Sequence, residues 1–360
     1  MTTSSGLVIN GRFTVQSLSG VQRFAGEITR ALARIWPEGA PSPRLLAPPG
    51  RLTESDGFGF AVEQAGRLKG QLWEQIDLPR LAGKRVLLNL GNTAPLFVRR
   101  QFVVLHDAAV FAQPQGYSWK FRLWYKILQM VLCRTGARFV TVSRFSQREI
   151  ARHLGISADR ISVIPEGGEH IRQTPADTSI LDQHHLTGQR FVLAVGNLAP
   201  HKNLRALSTL ARALDERGIP LVISGGANPS VFGAAAVLPH PALYVGRVTD
   251  GQLHALYQAA SCFVFPSLYE GFGLPALEAM ACGCPVVASS IPALQEVCGD
   301  AACYADPADE NDIMAGVQRV LDEPGLSAQL REQGFARAAL YTWDRAARAL
   351  LALTEGAGVA

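Results

Sequence analysis

The stretch Phe265-Pro-Ser-Leu-Tyr-Glu-Gly-Phe-Gly-Leu-Pro-Ala-Leu-Glu-Ala-Met-Ala-Cys-Gly, residues 265–283, reads as a strand end, a glycine loop and a helix in direct succession. The apolar run Cys262 to Pro266 leads into the loop Glu270 to Leu274, which carries Gly271 and Gly273. Pro275 suits the first helical position and Gly283 the position that closes the helix. Glycines let a backbone approach a ligand closely, and N–H groups at a helix start are fixed donors at a positive dipole end. A phosphate or a polyhydroxylated ring is what such a loop can hold. Glu270 precedes the loop and Glu278 is expected in the first turn of the helix, with seven residues between them. Such carboxylates can accept hydrogen bonds from a vicinal diol. Read singly, Glu278 is a favourable charge near a helix N-terminus and Glu270 a loop residue.

Outward from this stretch, short apolar runs alternate with amphipathic segments, the pattern of parallel sheets wrapped by helices. In the first half the expected strands are Gly6 to Ile9, Val86 to Leu90, Phe102 to His106, Phe139 to Val142 and Ile161 to Pro165, with helices Val21 to Trp36 and Ser146 to Leu154. A polar segment, Arg172 to Gln189, interrupts the alternation. It restarts with strand Phe191 to Gly196, helix Asn203 to Arg217, strands Pro220 to Ser224 and Ala242 to Val245, helix Asp250 to Ala259 and strand Cys262 to Pro266. The chain has 360 residues, and single cores stop growing near roughly 250–300. Two α/β Rossmann-like domains are therefore expected, 1–175 and 176–345, with a terminal helix in 346–360 packing back on the first.

Composition is that of an ordinary globular chain, 48% hydrophobic and 18% charged. The net charge of +4 hides an asymmetry. Residues 1–180 carry 23 Lys and Arg against 13 Asp and Glu, whereas residues 181–360 carry 11 against 17. The basic half suits an anionic partner or simply a solvated face. The six cysteines form no C-x-x-C pair and lack spaced His partners, so a zinc site is not expected and a reducing compartment is. No apolar run reaches the ~18 residues that span a bilayer, and the N-terminus lacks a leader pattern. A soluble cytoplasmic protein is expected.

Two further loops follow strands. Gly196-Asn-Leu-Ala-Pro-His-Lys-Asn comes after Phe191 to Val195, and its Lys202 could neutralise charge growing on a departing pyrophosphate. His106-Asp107 ends the strand from Phe102, where a histidine can exchange hydrogen bonds with a reacting hydroxyl or simply pack. Gly91-Asn92 and the loop from Ile164 through Pro165-Glu-Gly-Gly are weaker candidates. The segment Gly116 to Arg138 interleaves Trp119, Phe121, Trp124, Tyr125, Ile127 and Leu128 with Lys120, Arg122, Lys126 and Arg134. Its aromatics are expected to pack on the sheet with a basic face in water; contact with a membrane surface is the alternative.

The 265–283 segment resembles the E-x7-E region of the retaining glycosyltransferases of family 4, which have the GT-B fold of two facing Rossmann-like domains with an interdomain cleft. The resemblance covers most of residues 190–350, including Asn203 after a lysine, the Gly246-Arg-Val-Thr-Asp turn and the Tyr341-Thr-Trp-Asp pattern, and is patchier before residue 175. It implies a hexosyltransferase of mannose, glucose or rhamnose type acting in surface polysaccharide assembly. The donor would be a nucleotide-diphosphate sugar of GDP-mannose or UDP-glucose type, used as substrate without metal or cofactor. The acceptor would be a saccharide or lipid-linked oligosaccharide, with peripheral contact at the inner membrane face and no nucleic acid partner.

The same resemblance implies roles. Glu270 would bind donor-sugar hydroxyls, Gly271, Phe272, Gly273 and Leu274 would contact sugar or phosphate, and Glu278 would bind the ribose diol. Lys202 and Gly196 would face the diphosphate, and Val248 the donor. His106 would lie beside the anomeric region, its carbonyl or ring stabilising developing positive charge, and Ser19-Gly20-Val21 matches the family's N-terminal glycine loop. Gly91, Asn92 and Asp107 are acceptor-side candidates. The family commonly has arginine where His201 or Asn197 stands, and often asparagine where Glu166 stands, so Glu166 receives no role. The rival readings are another GT-B nucleotide-sugar enzyme, such as an epimerase or hydrolase, and a noncatalytic binding protein. A nicotinamide oxidoreductase would need a G-x-G-x-x-G turn after a first strand, which neither Gly6 to Ile9 nor Phe191 to Gly196 supplies.

Overall fold

The computed structural model of the chain describes residues 6–53, 57–114, 117–225 and 239–355. The chain forms two compact units, Met1–Glu166 with Trp343–Ala360, and Gly167–Thr342. The division thus falls before the polar segment rather than near 175, and the returning segment starts at Trp343 rather than 346.

The first unit is built on a seven-stranded sheet of order β3-β2-β1-β4-β5-β6-β7. Its strands are β1 Leu7–Asn10, β2 Arg44–Ala47, β3 Val62–Gln64, β4 Val86–Asn89, β5 Gln101–Val104, β6 Arg138–Thr141 and β7 Ile161–Val163. The second unit has a six-stranded sheet of order β10-β9-β8-β11-β12-β13, with β8 Val192–Val195, β9 Leu221–Ser224, β10 Leu243–Gly246, β11 Cys262–Phe265, β12 Val286–Ser289 and β13 Ala302–Ala305. Every strand pairing in both sheets is parallel. Parallel strands are covered on both faces, which is why β4, β8, β11 and β12 are wholly or almost wholly buried. In each sheet the strand order reverses once, between β1 and β4 and between β8 and β11. Open α/β sheets bind ligands outside the carboxyl ends of the strands at that reversal.

Four strands escape the sequence reading. The segment of β2 lies among Pro41, Pro43, Pro48 and Pro49 and reads as loop. The edge strand β3 has three residues, β12 directly follows the Cys282-Gly-Cys-Pro run, and β13 is Ala-Cys-Tyr-Ala. The expected helix from Asn203 breaks into a 3-10 turn, Leu204–Leu207, and a helix, Ser208–Asp215. Asn203 itself is left-handed, with φ 54°. The polar segment is not all loop, since it holds the short helix Ser179–Gln183 and begins in the last residues of another, His170–Gln173.

The returning helix, Trp343–Thr354, packs on Gly20–Ile35 within the first unit. Trp343 is fully buried, edge-on to Phe24 at 5.7 Å, and Asp344 pairs with Arg34 at 2.7 Å. The last five residues of the expected terminal helix lie outside the described residues. The helix Trp119–Leu132 departs most from expectation. It buries only Leu128, Gln129 and Leu132, and leaves Trp119, Phe121 and Trp124 exposed. Gly116, at the start of that segment, lies outside the described residues.

All six cysteines are unpaired and buried. Burial pushes the Cys262, Cys282 and Cys298 thiols up to about 12, so at pH 8 about one molecule in ten thousand carries the thiolate at each. Iodoacetamide at pH 8 should therefore leave these three unmodified in the folded protein and modify them after denaturation, as read by mass spectrometry of tryptic peptides.

Candidate functional site

In the second unit, the two strands flanking the reversal deliver Lys202 and Glu270 to one place. Gly196 follows β8, and a Cβ on it would lie 3.7 Å from the Cβ and Cγ of Lys202, so the lysine stem rests on a bare backbone. The turn Pro200–Lys202 is tied to the chain just after β11 and just after β13. Asn203 Nδ2 donates to the carbonyls of Pro266, at 3.1 Å, and Pro307, at 2.8 Å. The Leu268 N–H donates to the His201 carbonyl at 2.8 Å. Lys202 Nζ is thereby held 2.6 Å from Glu270 Oε1 and 5.3 Å from the centre of the Phe265 ring. Both charged side chains are largely buried, which screens the pair less than one in open water.

The helix after this loop is Leu274–Ala281, with Gly273 as N-cap and Pro275 in its first turn. Gly273 has φ 102°, a conformation that favours glycine, and a Cβ there would collide with buried Leu294. The amides of Phe272, Gly273 and Leu274 stand where a helix start has no intrahelical acceptor to offer. Because the helix begins at Leu274, Glu278 sits in its second turn rather than the first. The carboxylate is buried and held from both sides: His170 Nε2 donates to Oε1 at 3.0 Å, and the Tyr257 hydroxyl donates to Oε2 at 3.2 Å. Burial, with the Glu278 charge beside it, pushes the Tyr257 phenol far above its usual range, so it remains a donor. His170 reaches Glu278 because the chain at Gly168, two residues before it, runs against this helix. A Cβ on Gly168 would stand 2.7 Å from Leu277 Cγ.

Gly225, after β9, is a further site residue that sequence reading passes over. Its N–H donates to the Gly246 carbonyl at 2.9 Å, and any side chain on it would overlap the Gly196 carbonyl. Glycines thus end β8, β9 and β10 side by side, so that these three strand ends carry no side chain of their own there. Val248 stands half-buried in the loop after β10, one residue before Thr249 caps the helix Asp250–Ala259.

In the first unit, His106 is framed on every side. Its ring is buried, with Nε2 3.0 Å from the Leu90 carbonyl, which can only accept, so Nε2 carries the hydrogen. Nδ1 faces Glu166 Oε1 at 3.6 Å, and the edge of the ring meets Phe24 at 4.7 Å. Glu166, unassigned in the sequence, is therefore the carboxylate that faces this histidine. Asn92, left-handed at φ 64°, accepts the His106 N–H on Oδ1 at 2.7 Å, so it positions the histidine. The His106 carbonyl already accepts the Ser146 hydroxyl at 2.9 Å, which leaves its second lone pair. Gly91 borders the start of the Gly20–Ile35 helix, with Val21 Cγ1 3.9 Å from where its Cβ would be. Asp107 Oδ1 accepts the Ala109 N–H at 2.8 Å. Burial, with smaller contributions from the charges of Glu74 and Asp107, pushes the Tyr125 phenol up to about 12.

The reversal in this sheet is filled by protein groups. Asn10 Nδ2 donates to Glu74 Oε1 at 2.8 Å and to Asn89 Oδ1 at 3.0 Å, while Thr93 donates to Glu74 at 3.0 Å and Arg12 Nε lies 3.4 Å away. Glu74 lies in a π-helical turn, Trp73–Asp77, for which the sequence carries no local signal. Among the described residues, no three His, Cys, Asp or Glu side chains gather as a metal-ligand set.

The loop geometry yields a stability prediction. Gly273→Ala must either keep the left-handed backbone and displace Leu294 or shift the loop, and should cost about 1–3 kcal/mol. Urea unfolding of the two proteins measures the difference.

Against known proteins, the profile described as "Glycosyl transferases group 1" matches residues 177–337, and that of "Glycosyltransferase Family 4" matches residues 90–169. The O-antigen chain mannosyltransferase B of Escherichia coli is 34% identical over 69% of this chain and 68% of its own length. The serotype-specific mannosyltransferase WbdA of Escherichia coli is 29% identical over 68% of this chain, a match that spans 32% of WbdA. The crystal structure of Anabaena HepE in complex with UDP and glucose superposes with a TM-score of 0.71 at 18% identity, covering 98% of this chain and 99% of that one, a likeness of fold. With its two parallel α/β sheets and its loop of paired glutamates, this chain belongs to the group 1 glycosyltransferases of the GT-B fold.

Proposed function

We propose that the chain is a retaining hexosyltransferase that moves a mannose, glucose or rhamnose-type sugar from a nucleotide-diphosphate donor to a saccharide or lipid-linked oligosaccharide during surface polysaccharide assembly. The observation that carries this reading is the Lys202–Glu270 pair, 2.6 Å apart where the strand order of the second sheet reverses, beside the amides that open a helix.

In this reading the donor diphosphate lies against the bare strand ends at Gly196, Gly225 and Gly246 and over the amides of Phe272 to Leu274. Lys202 meets the charge that grows on the departing diphosphate, a task that calls for no resident metal. Glu270, steadied by Lys202, accepts hydrogen bonds from the sugar hydroxyls. Glu278 is already oriented by His170 and Tyr257, and its remaining lone pairs accept the ribose diol. His106, with Glu166 facing Nδ1, lies beside the anomeric carbon, and Gly91 and Asp107 belong to the acceptor side. Retention follows from front-face displacement, in which the C–O bond to the diphosphate breaks while a diphosphate oxygen takes the proton of the attacking acceptor hydroxyl. The names of the relatives favour mannose, hence a GDP-mannose type of donor, and the UDP and glucose of HepE keep a UDP-glucose type alongside it. Cytoplasmic residence with peripheral contact at the inner membrane face completes the reading. Among the described residues no helix is long and apolar enough to cross a membrane.

Transfer from a panel of nucleotide-sugars tests the assignment. Removing an electrostatic group that acts on developing charge costs about 10²–10³ in kcat, so Lys202→Ala and Glu270→Ala should each lose that much with the fold intact. Glu278→Ala should chiefly raise the donor KM, by about tenfold. Near-normal turnover in Lys202→Ala would remove the diphosphate role.

A further inference from the structure

The helix Trp119–Leu132 presents its apolar stripe to water. At ~100° per residue, Trp119, Leu123, Ile127 and Met130 share one face, and the buried residues Leu128, Gln129 and Leu132 lie on the opposite one. Trp119 is 67% exposed, Leu123 50% and Ile127 47%. The side that ordinary amphipathicity would turn toward the core is therefore the outer side. A second aromatic joins it: Phe97, 89% exposed, is flanked by exposed Arg99 and Arg100. Its loop passes the far end of the helix, where a Cβ on Gly136 would be 2.9 Å from the Arg99 carbonyl.

Charge indicates what covers this face. From Ala108 to Arg148 the chain contains no Asp or Glu, while Lys120, Arg122 and Lys126 border the stripe on the helix and Arg134 follows its end. A second copy docked here would set like charges against each other with no carboxylate to pair them. A protein partner would need its own acidic rim. An anionic lipid surface satisfies both features together, because aromatic and aliphatic side chains enter the acyl boundary while Lys and Arg reach the phosphates.

We infer that Trp119–Leu132, extended by Phe97 with Arg99 and Arg100, is an interfacial helix that lies in the surface of an anionic bilayer. Trp119, Leu123 and Ile127 are its inserted residues, and Lys120, Arg122 and Lys126 its headgroup contacts. The inference deepens the functional reading in one respect, since it would hold the first unit beside a lipid-linked acceptor, and it rests on that reading only there.

The test is co-sedimentation of the full chain, without any nucleotide-sugar, with vesicles of phosphatidylcholine alone or containing phosphatidylglycerol. Wild type should bind the phosphatidylglycerol vesicles, more weakly at high salt, with a blue shift of tryptophan emission. Trp119→Glu with Leu123→Glu and Ile127→Glu should weaken binding by about tenfold or more, while thermal unfolding and transfer to a water-soluble acceptor stay at wild-type levels. Should that variant not fold, Lys120→Gln with Arg122→Gln and Lys126→Gln leaves the stripe intact and should abolish the salt-dependent part of binding. The inference is overturned if wild type ignores anionic vesicles, or if the folded variants bind as well as wild type. It is equally overturned if wild type forms dimers that the glutamate variant dissolves, which would assign the face to a second copy. Vesicle binding without sugar transfer would sustain the inference and count against the functional reading alone.

Discussion

A lysine and a glutamate 68 positions apart in sequence meet at 2.6 Å, and most of the second unit can be understood from what that contact demands. Neither side chain reaches the other by local structure. They meet because β8 and β11 are neighbours at the reversal of strand order, and because Asn203 and Leu268 stitch the two following loops together. A largely buried charge pair is expensive to desolvate and is a poor device for stability alone. Placed at the ligand edge of a parallel sheet, it keeps a cation ready beside an acceptor of hydrogen bonds, the two features that a sugar diphosphate requires. The surrounding glycines at 196, 225, 246 and 273 leave room for a ligand to lie on backbone.

Around this pair the unit places groups that hold other groups. Glu278 would be a costly buried carboxylate without His170 and Tyr257, and with them it has a fixed orientation. The first unit follows the same principle with different residues. Asn92, Leu90 and Ser146 hold His106 through its amide, its ring and its carbonyl, and Glu166 faces the remaining ring nitrogen. Preorganised donors and acceptors lower the cost of rearrangement when charge develops, the advantage that the proposed reaction would draw from them.

The sequence made legible what local chemistry controls. The glycine loop, Pro275 and Gly283 announce themselves through backbone preference, and the apolar runs of β4, β8, β9 and β11 through burial on both faces. Most boundaries fall within one or two residues. Less legible is whatever depends on distant partners. Glu278 falls at the start of the second turn rather than in the first because the helix starts at Leu274, one residue before the proline. His170 stands between the Pro165-Glu-Gly-Gly loop and the polar segment, where nothing local marks it, Tyr257 reads as an ordinary helix residue, and Gly225 matters only because the Gly196 carbonyl passes close by. The helix at Trp119 shows the same limit from the other side. Periodicity reveals that an apolar face exists, and only the fold reveals that protein does not cover it.

The central claim is that Lys202 and Glu270 form the seat of a sugar diphosphate. Calorimetric binding of nucleoside diphosphate to wild type and to Lys202→Met tests it without reference to turnover. A diphosphate that depends on this ammonium should bind at least about tenfold more weakly to the methionine variant, a loss of about 1.4 kcal/mol, with the unfolding temperature little changed. Equal affinity in the two proteins would contradict the account and place the diphosphate elsewhere.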